Sequence, residues 1–156
     1  MKKIFAFIMA AAFCLTGTAK TADEVINEIE KATSAQVVRF NKEMIAMQMG
    51  KSDKDDIKEL LNYVDNGCVL IIEDSDKAKS DTFNNTVAGL DSVYEPVVTV
   101  FDSDDRVKVL GRAEGDILKE VVVAVSDNED CVMVYITGSI PKDKIGQLIN
   151  NKTVSF

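Results

Sequence analysis

The 156-residue chain contains no histidine and no tryptophan. Without an imidazole there can be no Ser–His–Asp or Cys–His nucleophile system, and catalytic zinc sites lose their commonest ligand. An enzyme built on this chain would have to use carboxylates, and no pair of acidic residues is singled out by its spacing. Positive charge is also short: 18 Lys and Arg stand against 26 Asp and Glu, a net charge of −8. Two of those lysines fall in residues 1–19, which hold no acidic residue, so the rest of the chain is more acidic still. A protein of that balance is repelled by phosphate backbones, and no local basic cluster offsets it. The sequence therefore argues against nucleic acid and against an anionic membrane surface as partners. Only two prolines occur, and no linker, repeat or low-complexity segment is seen. Cysteine is limited to Cys14, Cys68 and Cys131, with no Cys-x-x-Cys to suggest redox catalysis.

What is present begins with an export pattern. Lys2-Lys3 is followed by a nearly unbroken apolar run from Ile4 to Leu15 and by the small residues Gly17-Thr18-Ala19. A basic opening, an apolar middle and a small-residue cleavage site make a secretory signal, expected to be cut after Ala19, with Ala22 as the second choice. The run is shorter than the roughly 20 apolar residues of a membrane span, so no integral span is expected after cleavage. Cys14 is a poor lipidation site, because Phe13 precedes it and it lies inside the apolar run. The expected organisation is a signal peptide over 1–19 and a single α+β domain over 20–156, placed in the periplasm or secreted.

In the remainder, 46% of the whole chain being apolar and 28% charged, an ordinary globular core is expected. Thr21-Ala22-Asp23-Glu24 reads as a capping box, and Val25, Ile26, Ile29 and Ala32 recur at helical spacing, predicting a helix over 22–33. Gln36 to Phe40 is a short β-prone stretch. Asn41 can cap a second helix carrying Met44, Ile45 and Met47. Ile57, Leu60, Leu61 and Val64 mark a third, ended by Asn66-Gly67 with Gly67 at positive φ. Cys68 to Ile72 is apolar on both faces, as in a central strand. A helix from about 76 to 90 would turn Ala78, Phe83, Val87 and Leu90 inward. Val97–Phe101, Val107–Gly111, Ile117–Val125 and Val132–Ile136 then read as four strands joined by short polar links, which predicts antiparallel hairpins. Pro141 suits the first turn of a closing helix with Ile145, Leu148 and Ile149 on one face. The fold class is α+β: a mainly antiparallel sheet with a C-terminal four-strand meander and helices packed on one face.

Few residues present themselves as a site. Cys68 and Cys131 each open an apolar strand, and export permits a disulfide between them. Closing that loop would contribute about 4 kcal/mol on the chain-entropy model. The competing and preferred reading is two buried free thiols. Met44, Met47 and Met49 could offer soft ligands to Cu(I), but methionine on a helix face more often fills a core. Glu73-Asp74-Ser75-Asp76 and Asp102-Ser103-Asp104-Asp105 lack the spacing of a calcium loop and suit caps and turns better. No catalytic, cofactor-binding or metal-binding residue is assigned, and no cofactor is expected.

Ile117-Leu118-Lys119-Glu120-Val121-Val122-Val123, followed by Val132-Met133-Val134-Tyr135-Ile136-Thr137-Gly138-Ser139-Ile140, resembles the paired-strand pattern of the domain of unknown function 4252 family. Ile145 and Leu148 continue the likeness, which spans residues 22–150. The resemblance implies an exported or lipoprotein-type protein of Bacteroidetes-like bacteria without an assigned activity, so it brings no functional residues with it. The function expected is a non-enzymatic envelope module that binds a protein partner or associates with itself. The alternatives are a small-ligand binder with a pocket between helices and sheet, and a histidine-free carboxylate enzyme.

Overall fold

The structure, a computed structural model, describes residues 20–49, 59, 62–102 and 105–145. The export pattern of residues 1–19, with Cys14, lies outside them, as do Ile57, Leu60, Leu61, Leu148 and Ile149. The elements run α1 (Ala22–Thr33), β1 (Gln36–Asn41), α2 (Lys42–Met49), β2 (Val64–Ile72), α3 (Lys77–Ala88), a 3₁₀ turn (Gly89–Ser92), β3 (Glu95–Asp102), β4 (Asp105–Glu114), β5 (Ile117–Ser126) and β6 (Cys131–Pro141). The six strands form one sheet in the order β1-β2-β6-β5-β4-β3, and every neighbouring pair is antiparallel. The protein is α+β, with β3 to β6 as the meander. The connection from β2 through α3 carries the chain from beside one edge of the sheet to the opposite edge, and β6 returns to fill the gap between β2 and β5.

Local chemistry explains the helix ends. The Thr21 side chain accepts from the Glu24 backbone N–H while the Glu24 carboxylate accepts from the Thr21 backbone N–H, a complete capping box. Asn41 Oδ1 accepts from Met44 N at 2.9 Å and starts α2. Asp76 Oδ1 accepts from Lys79 N at 2.8 Å and starts α3. Val25, Ile26 and Ile29 of α1 pack with Phe83 and Val87 of α3 and with Leu90 onto one face of the sheet. There they meet Cys68, Leu70 and Ile72 of β2, Leu110 of β4, Val122 and Ala124 of β5, and Cys131, Met133 and Tyr135 of β6. A second, smaller cluster of Val64, Leu118, Val121 and Ile140 forms with Ile45, Tyr63, Ile136 and Ile145 at one end of the sheet.

Several expectations are corrected. Val64 is not the last inward residue of a helix but the first residue of β2, and Asn66-Gly67 lies inside that strand. Ladder bonding explains this: Val64 pairs with Gly138 and Asn66 with Thr137, while Ser139 N donates to Tyr63 O at 2.9 Å. Gly67 is not left-handed; the Phe40 ring lies against it across the β1–β2 pair. Pro141 is the last residue of β6, and the expected closing helix starts directly after it, residues 142–145 being helical. Met44 and Met47 do not fill the core, being 46% and 73% exposed on α2. Ala32 and Ala78 face outward too.

The turns set the register. Glu114 pairs with Ile117, leaving the two-residue loop Gly115-Asp116, with Gly115 at φ 62 and Asp116 outside the left-handed region. That is the type II′ pattern, whose first position favours glycine. In the β5–β6 link, Asp127 Oδ1 accepts from Glu129 N and from Asp130 N, each at 2.7 Å. Those two bonds hold the Asp127 carboxyl below its ordinary value. Three ladders lose register at the same end of the sheet, between Val64 and Asn66, between Arg112 and Ala113, and between Leu118 and Glu120. Such β-bulges bend a sheet and re-aim side chains.

Candidate functional site

Directly paired residues of an antiparallel sheet share a face, so the register sorts every strand residue into one of two surfaces. On the helix-covered face, the last row before the bulges is polar. Asn41 pairs with Asn66, Asn66 with Thr137, Thr137 with Glu120, and Glu120 with Arg112. Five strands thus contribute five polar side chains in a line, just beyond the reach of α1.

Glu120 is the centre of a hydrogen-bonded group. Its Oε1 accepts from Tyr94 Oη at 3.0 Å and from Tyr135 Oη at 2.5 Å, and its Oε2 accepts from Arg112 Nη1 at 3.3 Å. Tyr94 Oη also accepts from the Ala22 backbone N–H at 3.1 Å. The carboxylate therefore ties β5 and β6 to the residue before β3 and, through Tyr94, to the first turn of α1. Burial, reinforced by the Glu120 bond, pushes the Tyr94 hydroxyl up to about 12. Tyr135 is pushed up as well, by burial first and Glu120 next. Both rings are almost wholly enclosed, and ionising either would set a phenolate beside a carboxylate.

Beside this group an open cleft of about 440 Å³ is lined by Asp23 of α1, by Arg39, Phe40 and Asn41 of β1, by Met44 of α2, by Asn66, Gly67 and Cys68 of β2, and by Tyr135 and Thr137 of β6. The Arg39 guanidinium lies 3.4 Å from Asp23 Oδ1. Both side chains are more than half exposed, so this pair contributes little to stability. Cys68 forms part of the floor; burial pushes its thiol up, with Arg39 opposing.

The opposite face has another character. Val38 pairs with Val69, Val69 with Val134, Val134 with Val123, Val123 with Val109, and Val109 with Val98. One valine from each strand makes a row across the whole sheet. The next row runs Gln36, Ile71, Val132, Val125, Val107. Among the described residues, Val69, Ile71, Val107, Val125, Val132 and Val134 belong to neither core cluster and remain partly exposed. Val38 and Val97, on the two edge strands, are 56% and 42% exposed. Ile45 and Ile145 pack at the bulged end, in a cluster that Val109 and Val123 of the valine row also join.

Cys68 and Cys131 do lie on neighbouring strands. Cys68, however, pairs with Tyr135 while Cys131 pairs with Ile72. The four-residue offset separates them by about 13 Å along the strands, whereas a disulfide needs Cα atoms within about 7 Å. Both are buried free thiols, and Cys131 Sγ sits 3.7 Å from the hydroxyls of Ser75 and Ser80. In the first acidic cluster, Asp76 is the α3 cap and Asp74 takes a left-handed turn position at φ 50. Residues 103 and 104 of the second lie outside the described residues, and Asp102 pairs with Asp105 at the β3–β4 hairpin. Met44 lines the cleft; the side chain of Met49 is outside the described set. The residues that do come together, Glu120, Tyr94, Tyr135, Asn66 and Thr137, were not singled out by sequence. One signal was available: a carboxylate at Glu120 directly before the apolar run Val121–Val125.

Residues 20–148 match the family model described as Domain of unknown function (DUF4252). That span contains all six strands. A search of curated proteins returns no match to the chain. Among the described residues no helix is long and apolar enough to cross a membrane.

Proposed function

The chain belongs to the DUF4252 family, and we propose that it works as a non-enzymatic, self-associating module of the bacterial envelope, two copies meeting through the valine face of the sheet. The observation that carries this reading is the six-valine row. An antiparallel sheet with one solvated face alternates apolar and polar residues, while strands covered on both faces are continuously apolar. Val121-Val122-Val123-Ala124-Val125 and Val132-Met133-Val134 are of the second kind, yet α1 and α3 cover only one side.

A second copy suits this face better than other occupants do. The two valine rows hold no charged side chain, so they can meet their own image without like charges opposing, which a chain of net charge −8 could do at few other places. With strands about 4.8 Å apart and alternate residues about 7 Å apart, the two rows span about 24 by 14 Å. The rows would form the apolar centre of an interface whose typical area of about 800 Å² per partner also takes in the residues around them. At the bulged end Ile145 packs on the second cluster and Lys144 Nζ meets Glu59 Oε1 at 2.5 Å. Export rests on the pattern of residues 1–19.

Light scattering on the exported chain, coupled to size-exclusion chromatography, tests the proposal. The wild type is expected at twice its chain mass, and Val134→Asp, which sets a carboxylate against its image in the other copy, is expected at the monomer mass. Val134→Thr, which keeps the shape and a strand-compatible side chain, serves as the variant least prone to misfold and should weaken the dimer partially. A wild type that stays monomeric at high concentration refutes the proposal, whether the valine-face amides are open to exchange or are covered by the chain's own residues.

A further inference from the structure

Asparagine is depleted in β-strands, yet two asparagines face each other here on adjacent strands, Asn41 and Asn66. Asn41 is accounted for on one side only, since its Oδ1 caps α2 and its amide N–H₂ is left over. Among the described residues neither the Asn66 carboxamide nor the Thr137 hydroxyl beside it has a hydrogen-bond partner, and both line the cleft. A break in β2 register falls directly next to Asn66, and bulges gather where a side chain is re-aimed for use. A strand that departs from its own local preferences without a compensating bond marks a functional position.

We propose that this cleft is a binding site for a neutral saccharide. The chemistry of the lining selects that class. Carboxamides and hydroxyls each donate and accept, as do the hydroxyls of a sugar. Asn41, Asn66 and Thr137 repeat such groups at the strand spacing of about 4.8 Å, close to the distance between hydroxyls on opposite sides of a pyranose ring. Arg39 offers donors and Asp23 offers acceptors from the rim, and their charges cancel. A phosphate or carboxylate ligand would meet Asp23 and an acidic protein; a cationic ligand would meet Arg39. The exposed Met44 side chain gives an apolar surface for the C–H face of a ring. At about 440 Å³ the cleft falls within the range of small-ligand sites and has room for a short oligosaccharide. Arg39 and Asn41 sit on the edge strand β1, but Asn66 and Thr137 lie on the inner strands β2 and β6, beyond the reach of an extended peptide adding to the sheet edge. The site and the valine rows are on opposite faces, so the two proposals stand or fall separately.

The test is a titration of the ¹⁵N-labelled exported chain with maltotriose, cellotriose and chitotriose, using trigalacturonate and trialanine as charged and peptide comparators. A neutral trisaccharide is expected to shift the backbone amides of residues 39–41, 66–68 and 135–137 with millimolar or tighter affinity. Asn66→Ala with Thr137→Val should weaken that binding by about tenfold or more while leaving the amide spectrum dispersed, and Val134→Asp should leave it unchanged. No shift at these amides from any neutral sugar at saturating concentration overturns the proposal. So do shifts confined to other residues, tighter binding of trigalacturonate or trialanine, and undiminished binding to the double variant.

Discussion

Glu120 holds the fold at a point where four elements meet, and its replacement gives a prediction with a definite size. Glu120→Gln keeps the shape and one acceptor oxygen for both tyrosines but removes the charge. Hydrogen bonds to charged groups contribute about 1.5–3 kcal/mol and neutral ones about 0.5–1.5. Two such bonds, from Tyr94 and Tyr135, then give a loss of about 2 kcal/mol. Arg112 adds little, being 59% exposed. Glu120→Ala strands both hydroxyls at about 1–3 kcal/mol each, and because the Glu120 side chain is itself 17% exposed, entering water recovers part. About 4 kcal/mol is expected, a large fraction of the stability of a small domain. The tyrosines also fix the direction of the pH response. A raised folded-state value means that the folded protein keeps its phenolic protons where the unfolded chain sheds them. This stabilisation is complete below about pH 10, where unfolded tyrosine begins to ionise, and is lost as pH climbs. For Tyr94, held up to about 12 and 2% exposed, the loss amounts to about 3 kcal/mol. Urea unfolding at neutral and alkaline pH, with tyrosine absorbance followed through the same range, measures both quantities. In Glu120→Gln the tyrosines should titrate earlier, though not at the ordinary value, because burial is the larger cause. If that variant unfolds at the wild-type urea concentration and its tyrosines titrate unchanged, the hydrogen-bonded group does not exist as described.

Three further outcomes follow from local geometry. A Cβ on Gly138 would lie 2.0 Å from the Tyr63 carbonyl oxygen and 3.0 Å from Val64 Cα, both backbone atoms. Gly138→Ala should therefore destabilise by about 1–3 kcal/mol in chemical unfolding and loosen β2 from β6 in amide exchange. Asp76→Ala removes the side-chain acceptor that caps α3 and should cost about 1 kcal/mol in the same unfolding assay. Cys68 and Cys131, both buried and unpaired, should resist a thiol reagent in the folded protein and react fully in denaturant, with no mobility change between reducing and non-reducing gels.

The parts of the fold legible in sequence were those written in local chemistry. The capping box at Thr21 and Glu24, the caps at Asn41 and Asp76, and the polar links of the meander depend on residues near one another in the chain, and each sits where the sequence puts it. The start of β2 was not legible, because Val64 continues a helical spacing from Ile57 and only its pairing with Gly138 makes it a strand. The same limit hid the candidate sites. Asn41, Asn66, Thr137, Glu120 and Arg112 stand in one row only after three long-range pairings and the three bulges beside it are in place, and the six valines need five pairings. Met44 and Met47 misled for a related reason: the spacing of apolar residues on α2 does not say whether a partner surface exists.

The two faces also bear on what fixes the register. A one-residue slip of a strand exchanges its two sets of side chains. In β5 and β6 such a slip would swap Val121, Val123 and Val125 for Val122 and Ala124, or Val132 and Val134 for Met133, at little hydrophobic cost. Apolar patterning therefore cannot hold these strands in place. The groups that can are the turns and Glu120, since a slip would carry its carboxylate from Tyr94 and Tyr135 to the valine face. The Asp127 carboxylate, bonded to Glu129 N and Asp130 N, fixes the other end of the same hairpin. Its lowered folded-state value means that this contribution is present at neutral pH and is lost as pH falls through that value. Glu120→Ala and Asp127→Ala should thus both raise amide exchange along β5 and β6 beyond what their change in global stability accounts for. An equally destabilising core variant such as Leu110→Ala should not. If all three accelerate exchange in proportion to stability alone, apolar packing sets the register and the polar groups are secondary.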